Sequence, residues 1–174
     1  MPYALFPTAF GACGVAWNGV LLTAFQLPEA TPLVMEKSGG AAPAAPWREA
    51  PPPTWVGDII ARVQRHFAGH PQDFAEAPLD WSRVSPFQCA VYRQAWAIKP
   101  GFKRSYGDIA RELGLGPEGS RAVGVALGAN PWPLLVPCHR VVSATGKMTG
   151  FSAPGGIRTK TRLLALEGAE LLSE

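Results

Sequence analysis

Residues 130–142 read NPWPLLVPCHRVV, with Cys138 directly before His139. The thiolate is the reactive form of cysteine, and a free thiol with a pKa near ~8.5 is mostly protonated at neutral pH. An adjacent histidine can take that proton, and a carboxylate can orient the histidine. Neighbours on a strand point to opposite faces, so a Cys-His pair works directly only on an irregular turn, or through a bridging water. Asn130, followed by Pro131 and Pro133, predicts a constrained segment pinned by a side chain. The competing reading is a buried packing cysteine at the end of an apolar run.

A second segment, SRAVGVALGA over 120–129, has the small residues Ala122, Gly124, Ala126 and Gly128, with Arg121 its only charge after Glu118. Glycine inside a helix costs up to ~1 kcal/mol relative to alanine. Close approach of another surface would offset that cost. The surface is either a neighbouring helix or a nucleic-acid backbone, with Arg121 projecting from the helix N-terminal end. Helices that read base edges carry several long polar side chains. This one has almost none, which argues against sequence-specific readout.

The elements that must hold these residues are well punctuated. Ser85-Pro86-Phe87-Gln88 combines an N-cap, a first-turn proline and a capping-box glutamine. It predicts a helix to about Ile98 that buries Phe87, Val91, Ala95 and Ile98. Ser105 and Asp108 form a second capping box for a helix ending near Leu113, before Gly114. Pro117 starts a helix reaching Leu127, so 105–127 reads as a helix-turn-helix, a pattern that plain helix packing also produces. A last helix spans about Ile157 to Leu172. Upstream, Asn18-Gly19 between apolar runs predicts a two-residue type I′ hairpin within 13–27. Thr54 caps a helix to about Ala68 whose stripe is Val56, Ile59, Ile60, Val63 and Phe67. Residues 37–53 have twelve Ala, Gly or Pro among seventeen, which predicts a long loop without regular structure.

Composition excludes several classes. The 174 residues are 47% hydrophobic and 17% charged, enough to bury a core. No apolar run approaches the ~20 residues of a membrane span, and no secretory signal pattern opens the chain. Three scattered cysteines fit neither a disulfide framework nor a zinc ribbon. Cys13 and Cys89 read as packing residues. His66 and His70 stand four apart, but Gly69 ends the helix between them and no further metal ligands are evident. Residues 1–80 hold four Lys/Arg against seven Asp/Glu, and residues 81–174 hold twelve against six. A basic second half points to a polyanion partner or to a solvated mixed surface.

Pro137-Cys138-His139-Arg140-Val141 is similar to the signature of the methylated-DNA–protein-cysteine methyltransferases, the O6-alkylguanine-DNA alkyltransferases. The resemblance runs over about residues 73–168. It includes Pro78-Leu79-Asp80, Phe87-Gln88, Ser105-Tyr106-Gly107, Arg121-Ala122-Val123-Gly124, Asn130-Pro131, FSAPGG from Phe151 to Gly156, Leu163-Leu164 and Glu167-Gly168. It implies that Cys138 accepts the alkyl group from guanine O6. His139 draws the thiol proton through a water and Glu167 orients it. Asn130 braces the turn. Arg121 enters the base stack, with Ser120, Ala122 and Gly124 on the DNA-facing helix. Tyr106 aids base rotation and bonds the purine, and Val141, Ser152, Phe151 and Pro133 line the base pocket. The resemblance implies one turnover per molecule, with no metal or organic cofactor. Its partner is duplex DNA bearing O6-alkylguanine, with O4-alkylthymine as a further candidate.

Departures from the family pattern are Ser120 where many members have Ala, Tyr92 where Trp is common, and Met148-Thr149 before Gly150-Phe151. Without the resemblance, Tyr106 packs a helix start, Ser152 is a loop residue and Glu167 is a surface charge. Arg140 either binds phosphate or braces the turn, and the sequence leaves open whether Trp132 lines the pocket entrance. The fold expected is α/β (α+β). A ribonuclease H-like sheet-plus-helix domain over 1–80 packs on a mainly helical domain over 81–174 with a winged-helix-like helix-turn-helix. The expected protein is a cytoplasmic monomer that binds DNA largely irrespective of sequence. The rivals are a lesion-flagging DNA binder without catalysis, a Cys-His hydrolase or acyltransferase, and a helix-turn-helix regulator. Lesion-flagging relatives replace the cysteine, the hydrolase leaves the Arg121 helix without a role, and the regulator lacks a base-reading surface.

Overall fold

The computed structural model describes residues 1–28, 47–145 and 156–169. Strands β1 (Pro2–Thr8), β2 (Gly11–Asn18), β3 (Leu21–Gln26) and β4 (Arg48–Glu49) form a sheet of order β3-β2-β1-β4, with β4 parallel to β1 and the other pairs antiparallel. The β2–β3 hairpin turns one residue later than predicted. Asn18 pairs with Leu21, so Gly19 and Val20 are the central residues. Gly19 has φ 60° and Val20 is not in the positive-φ region, the pattern of a type II′ turn, which needs glycine only at its first central position. β4 corrects the loop expectation at its C-terminal end. Arg48 and Glu49 pair with Pro2 and Tyr3, because two residues suffice to close an exposed edge of β1. Residues 37–46 of that predicted loop lie outside the described residues.

Helix α1 (Thr54–Phe67) lays Val56, Ile59, Val63, His66 and Phe67 into the core and packs on β1. Its N-cap is Pro53, with no side-chain cap bond, so Thr54 is the first helical residue rather than the cap. Gly69 at φ 99° ends it, as expected. The following chain runs along β3: Leu22 donates to Pro78 O at 2.7 Å and accepts from Asp80 N at 2.9 Å.

Both predicted capping boxes are present, at Ser85/Gln88 and Ser105/Asp108. They start α2 (Pro86–Trp96) and α3 (Tyr106–Glu112). α2 ends two residues earlier than predicted, although Ile98 beyond it is buried. Phe87 is not core: it is 38% exposed and faces a groove beside the next helix but one. α4 (Gly119–Gly128) starts two residues after Pro117. A Cβ on Gly119 would stand 2.6 Å from Leu115 Cβ and 2.9 Å from Ala110 Cβ, so only glycine lets α3 and α4 meet here. Tyr92 OH donates to Ala126 O at 2.6 Å and ties α2 to α4. β5 (Arg104–Ser105) pairs in parallel with β6 (Val141–Val142). α5 (Gly156–Leu166) ends before Gly168, which has φ 75°. The helix stops short of the predicted Leu172, because Gly168 turns the chain out of it; residues 170–172 lie outside the described residues.

One core crosses the chain's midpoint. Trp132 is fully buried, its ring edge-on to Trp81 and Tyr92, and its Nε1 donates to Leu22 O at 3.1 Å. Phe25 N donates to Pro131 O at 2.9 Å. The segment before Cys138 is thus fastened to β3, and Trp132 is a core pin rather than a pocket wall. Among the described residues no helix is long and apolar enough to cross a membrane.

Candidate active site

The turn that carries Cys138 is held from behind. Asn130 Oδ1 accepts from Trp132 N at 2.9 Å, and its Nδ2 donates to Val136 O at 3.0 Å. Val136 N donates to Trp132 O at 2.9 Å, and Cys138 N donates to Val136 O at 2.8 Å. Leu134, at φ 76°, is the one non-glycine residue in the left-handed region among those described. That conformation is strained for a branched side chain and persists only where its surroundings over-determine it. Cys138–Arg140 then form a single 3-10 turn. This irregular geometry is what a Cys-His pair needs. All three residues are buried.

Glu167, just past α5, is the hub behind the turn. Its Oε1 accepts from His139 Nε2 at 2.8 Å and from Arg140 Nη2 at 2.8 Å, and its Oε2 accepts from Arg140 Nε at 3.0 Å. Arg140 Nη1 donates to Ile98 O at 2.7 Å. A third polar contact comes from α1: His66 Nε2 stands 3.2 Å from Glu167 Oε1, off the line of a hydrogen bond. The positive charge facing the carboxylate is the guanidinium, in the forked geometry that arginine alone provides. Arg140 is therefore a brace, buried and turned away from solvent.

Burial alone would raise the Glu167 carboxyl, but the hydrogen bonds from His139 and Arg140, with His66 close beside them, outweigh it and hold it well below the ordinary carboxylate range. The ionised carboxylate only accepts, so the His139 proton lies on Nε2. Its Nδ1 is then a bare lone pair, buried without a partner among the described residues. Burial pushes the His139 imidazole below its ordinary value, against the pull of Glu167, so the ring is neutral at pH 7 and able to take a proton. Burial pushes the Cys138 thiol up, while Asn130, Lys160 and the local backbone amides pull it back. The resting state is a thiol beside a neutral base.

Two further groups border Cys138. Lys160 of α5 is fully buried, donates to Val141 O at 2.7 Å, and its Nζ lies 3.4 Å from Tyr106 OH. Burial pushes its ammonium below the ordinary value, and the Cys138 sulfur pulls it up. Tyr106 is half-buried at the start of α3, and burial raises its phenol. Val141 and Pro133 are buried on either side of the turn. Ser152 and Phe151 lie outside the described residues.

On the outer face, Ser120, Arg121 and Ala122 of α4 are exposed in succession, and Val125 is 69% exposed. Beside them runs a groove of about 510 Å³ lined by Phe87, Gln88, Arg121, Ala122, Val125 and Ala129. A Cβ on Gly124 would meet only the Tyr106 ring, at 3.8 Å. Internal packing therefore demands glycine at Gly119 but not at Gly124.

The structure brings Cys138, His139, Glu167 and Asn130 together, and sets Arg121, Ser120, Ala122 and Gly124 on one surface. His66 and His70 do not pair: the first is buried and the second exposed. Cys13 is inert packing, its thiol pushed up to about 12 by burial, whereas Cys89 is only half-buried. Sequence reasoning missed Lys160 and the place of His66. Each lies on its helix's buried stripe, Lys160 with Leu163 and Leu164, and His66 with Ile59 and Val63. A polar residue at such a position is the signal that could have found them.

Residues 86–169 match the family model for the DNA-binding domain of 6-O-methylguanine DNA methyltransferase. A methylated-DNA–protein-cysteine methyltransferase of Mycolicibacterium paratuberculosis is 40% identical over 149 residues, 86% of each chain. A DNA base-flipping protein of Thermus thermophilus is 46% identical over 107 residues, 62% of this chain and 69% of that one. The crystal structure of Mycobacterium tuberculosis OGT in complex with DNA superposes with TM-score 0.79 at 33% identity, covering 97% of this chain and 93% of that one. A turn that pairs a buried cysteine with a carboxylate-held histidine, and a relative alike over most of both chains, lead to one assignment: the chain belongs to the methylated-DNA–protein-cysteine methyltransferase family.

Proposed function

We propose that the protein repairs O6-alkylguanine in duplex DNA by moving the alkyl group to Cys138, once per molecule. The observation that carries this is the neutral His139, held through Nε2 by Glu167 with Nδ1 unpartnered, on the same turn as the buried thiol. His139 Nδ1 takes the Cys138 proton through a water. The sulfur attacks the alkyl carbon, the S–C bond forms as the O6–C bond breaks, and the electron pair leaves on guanine O6. The proton passes from His139 to the guanine anion, leaving neutral guanine and a thioether. Among the described residues, no group beside Cys138 offers a route to cleave that thioether.

A base atom inside the stack is out of reach, so the nucleotide is extruded. Arg121 fills the gap, and the small-residue face of α4 lets the backbone approach the minor groove. Tyr106 guides the base and donates to the purine, and Val141, Pro133, Ser152 and Phe151 hold it. The basic second half supplies phosphate contacts without sequence readout. O4-alkylthymine is a second candidate substrate. The chain divides near residue 80 into a ribonuclease H-like part, 1–80, and a winged-helix-like part, 81–174. It acts as a cytoplasmic monomer on DNA.

The test is to incubate the protein with a duplex carrying one O6-methylguanine and take peptide masses. The expected result is about +14 Da, one methylene, on the Cys138 peptide, saturating at one per molecule and absent in Cys138→Ala. Tight lesion binding with no mass change would sink the proposal and leave lesion flagging.

A further inference from the structure

Glu167 Oε1 is approached from two parts of the chain. His139 and Arg140 follow the cysteine, but His66 arrives from α1, some seventy residues before it. The His66 ring is wholly buried and lies against Phe67 and Phe74, at centroid distances of 6.1 and 5.8 Å. Its tautomer follows from its other partner. Gln72 N donates to His66 Nδ1 at 2.9 Å, so Nδ1 is the acceptor and the neutral ring carries its proton on Nε2. That N–H lies beside Glu167 Oε1, 3.2 Å away and off the line of a hydrogen bond. An aromatic ring of similar size would fill the same space. The imidazole adds a polar edge against the carboxylate and a fixed anchor at Gln72.

We infer that His66 is a positioning residue for the alkyl transfer: its imidazole edge, delivered from α1, closes the remaining side of Glu167 Oε1 and keeps the carboxylate in the setting that holds the His139 proton on Nε2 and Nδ1 bare. This rests on His139 being the base for Cys138. His139 and Arg140 already engage the lone pairs of Oε1, and with the His66 edge packed 3.2 Å away the carboxylate has no room to turn or to admit a water. With that edge removed, one side of Oε1 opens inside the protein, and the orientation of His139 loosens.

The test uses the whole protein with ring-15N histidine, which gives only three residues to resolve: His66, His70 and His139. His66→Asn keeps a near oxygen for Gln72 N–H but does not reach Glu167, whereas His66→Gln reaches it with an amide N–H. Transfer from saturating O6-methylguanine duplex is expected to fall about tenfold in His66→Asn and to stay within about threefold of wild type in His66→Gln, a part of what the base itself contributes. Lesion-duplex affinity should not change in either. The His139 nitrogens should report a pure Nε2–H tautomer in wild type and His66→Gln, and a mixture in His66→Asn. A wild-type rate and an unmixed His139 tautomer in His66→Asn would overturn the inference. So would a wild-type His66 protonated on Nδ1, which is read on the unmodified protein and needs no variant to fold. If wild type moves no methyl group to Cys138, the functional reading fails instead, and the ring-nitrogen signals still decide the role of His66.

Discussion

The interior of the site and its outer face are built on opposite plans. Behind Cys138, each charge has a fixed partner: Glu167 takes donors from His139 and Arg140 with His66 packed against it, and Lys160 donates to Val141 O. On α4 the exposed residues are short, Arg121 apart, and the face toward the groove is nearly featureless. Low dielectric makes the interior network strong when complete and costly when broken. A bare helix face makes few specific contacts but allows close approach. Under the proposed function, chemistry belongs to the inside and duplex engagement to the outside, so changes in the two places should fail in different ways.

The largest effect should come from breaking the interior. Glu167→Gln leaves Arg140 buried without a counter-charge, which is expected to cost about 3–5 kcal/mol and lower the melting temperature by roughly 10 °C. Thermal denaturation checks this. Transfer to Cys138 should fall by about a hundredfold even at saturating duplex, since the base loses its orientation.

Acid should do the same by degrees. His139 is held below its ordinary value in the fold, so the unfolded chain binds its proton first as pH falls below about 6.5. Glu167 is also held low, so the unfolded chain takes up that proton below about 4.5 while the fold resists it. Both signs agree: stability is fully present at neutral pH and is lost on acidification. Urea midpoints across pH should fall in two steps, and the lower step should shrink in Glu167→Gln to what Asp73 and Asp108, also held low, contribute.

How much of this was legible in the sequence depended on range. The two capping boxes were readable because each closes within four residues and owes nothing to tertiary contacts. Asn130 as a brace was readable from its prolines and the family resemblance. The hairpin slipped by one residue because Asn18-Gly19 and Gly19-Val20 are both acceptable turn centres, and pairing further along the strands decides between them. β4 was hidden because two residues of a Pro-rich stretch carry no periodicity; β1 recruits them. Arg140 had two open roles because only the fold puts it within reach of Glu167 and Ile98 O. His66 has only His70 near it in sequence to suggest a role, while its partner Glu167 lies about a hundred residues on.

The outer face gives smaller effects. Arg121→Ala should leave stability within ~0.5 kcal/mol but slow repair of duplex lesions by about tenfold, measured as single-turnover transfer at subsaturating DNA. Smallest is Gly124→Ala. Its Cβ meets only the Tyr106 ring, so α4 should gain about 0.5–1 kcal/mol. If the gap at Gly124 serves DNA, the same variant should bind duplex more weakly while melting higher. A variant that melts higher and binds DNA as wild type would make Gly124 incidental.

The division itself is tested most directly by giving the same variants a substrate that bypasses the duplex. Methyl transfer to Cys138 from the free base O6-methylguanine needs the interior but not α4. Arg121→Ala is expected to match wild type on the free base and to fall behind only on duplex, while Glu167→Gln is impaired on both. Arg121→Ala failing equally on the free base, or Glu167→Gln repairing either substrate at the wild-type rate, would contradict that division.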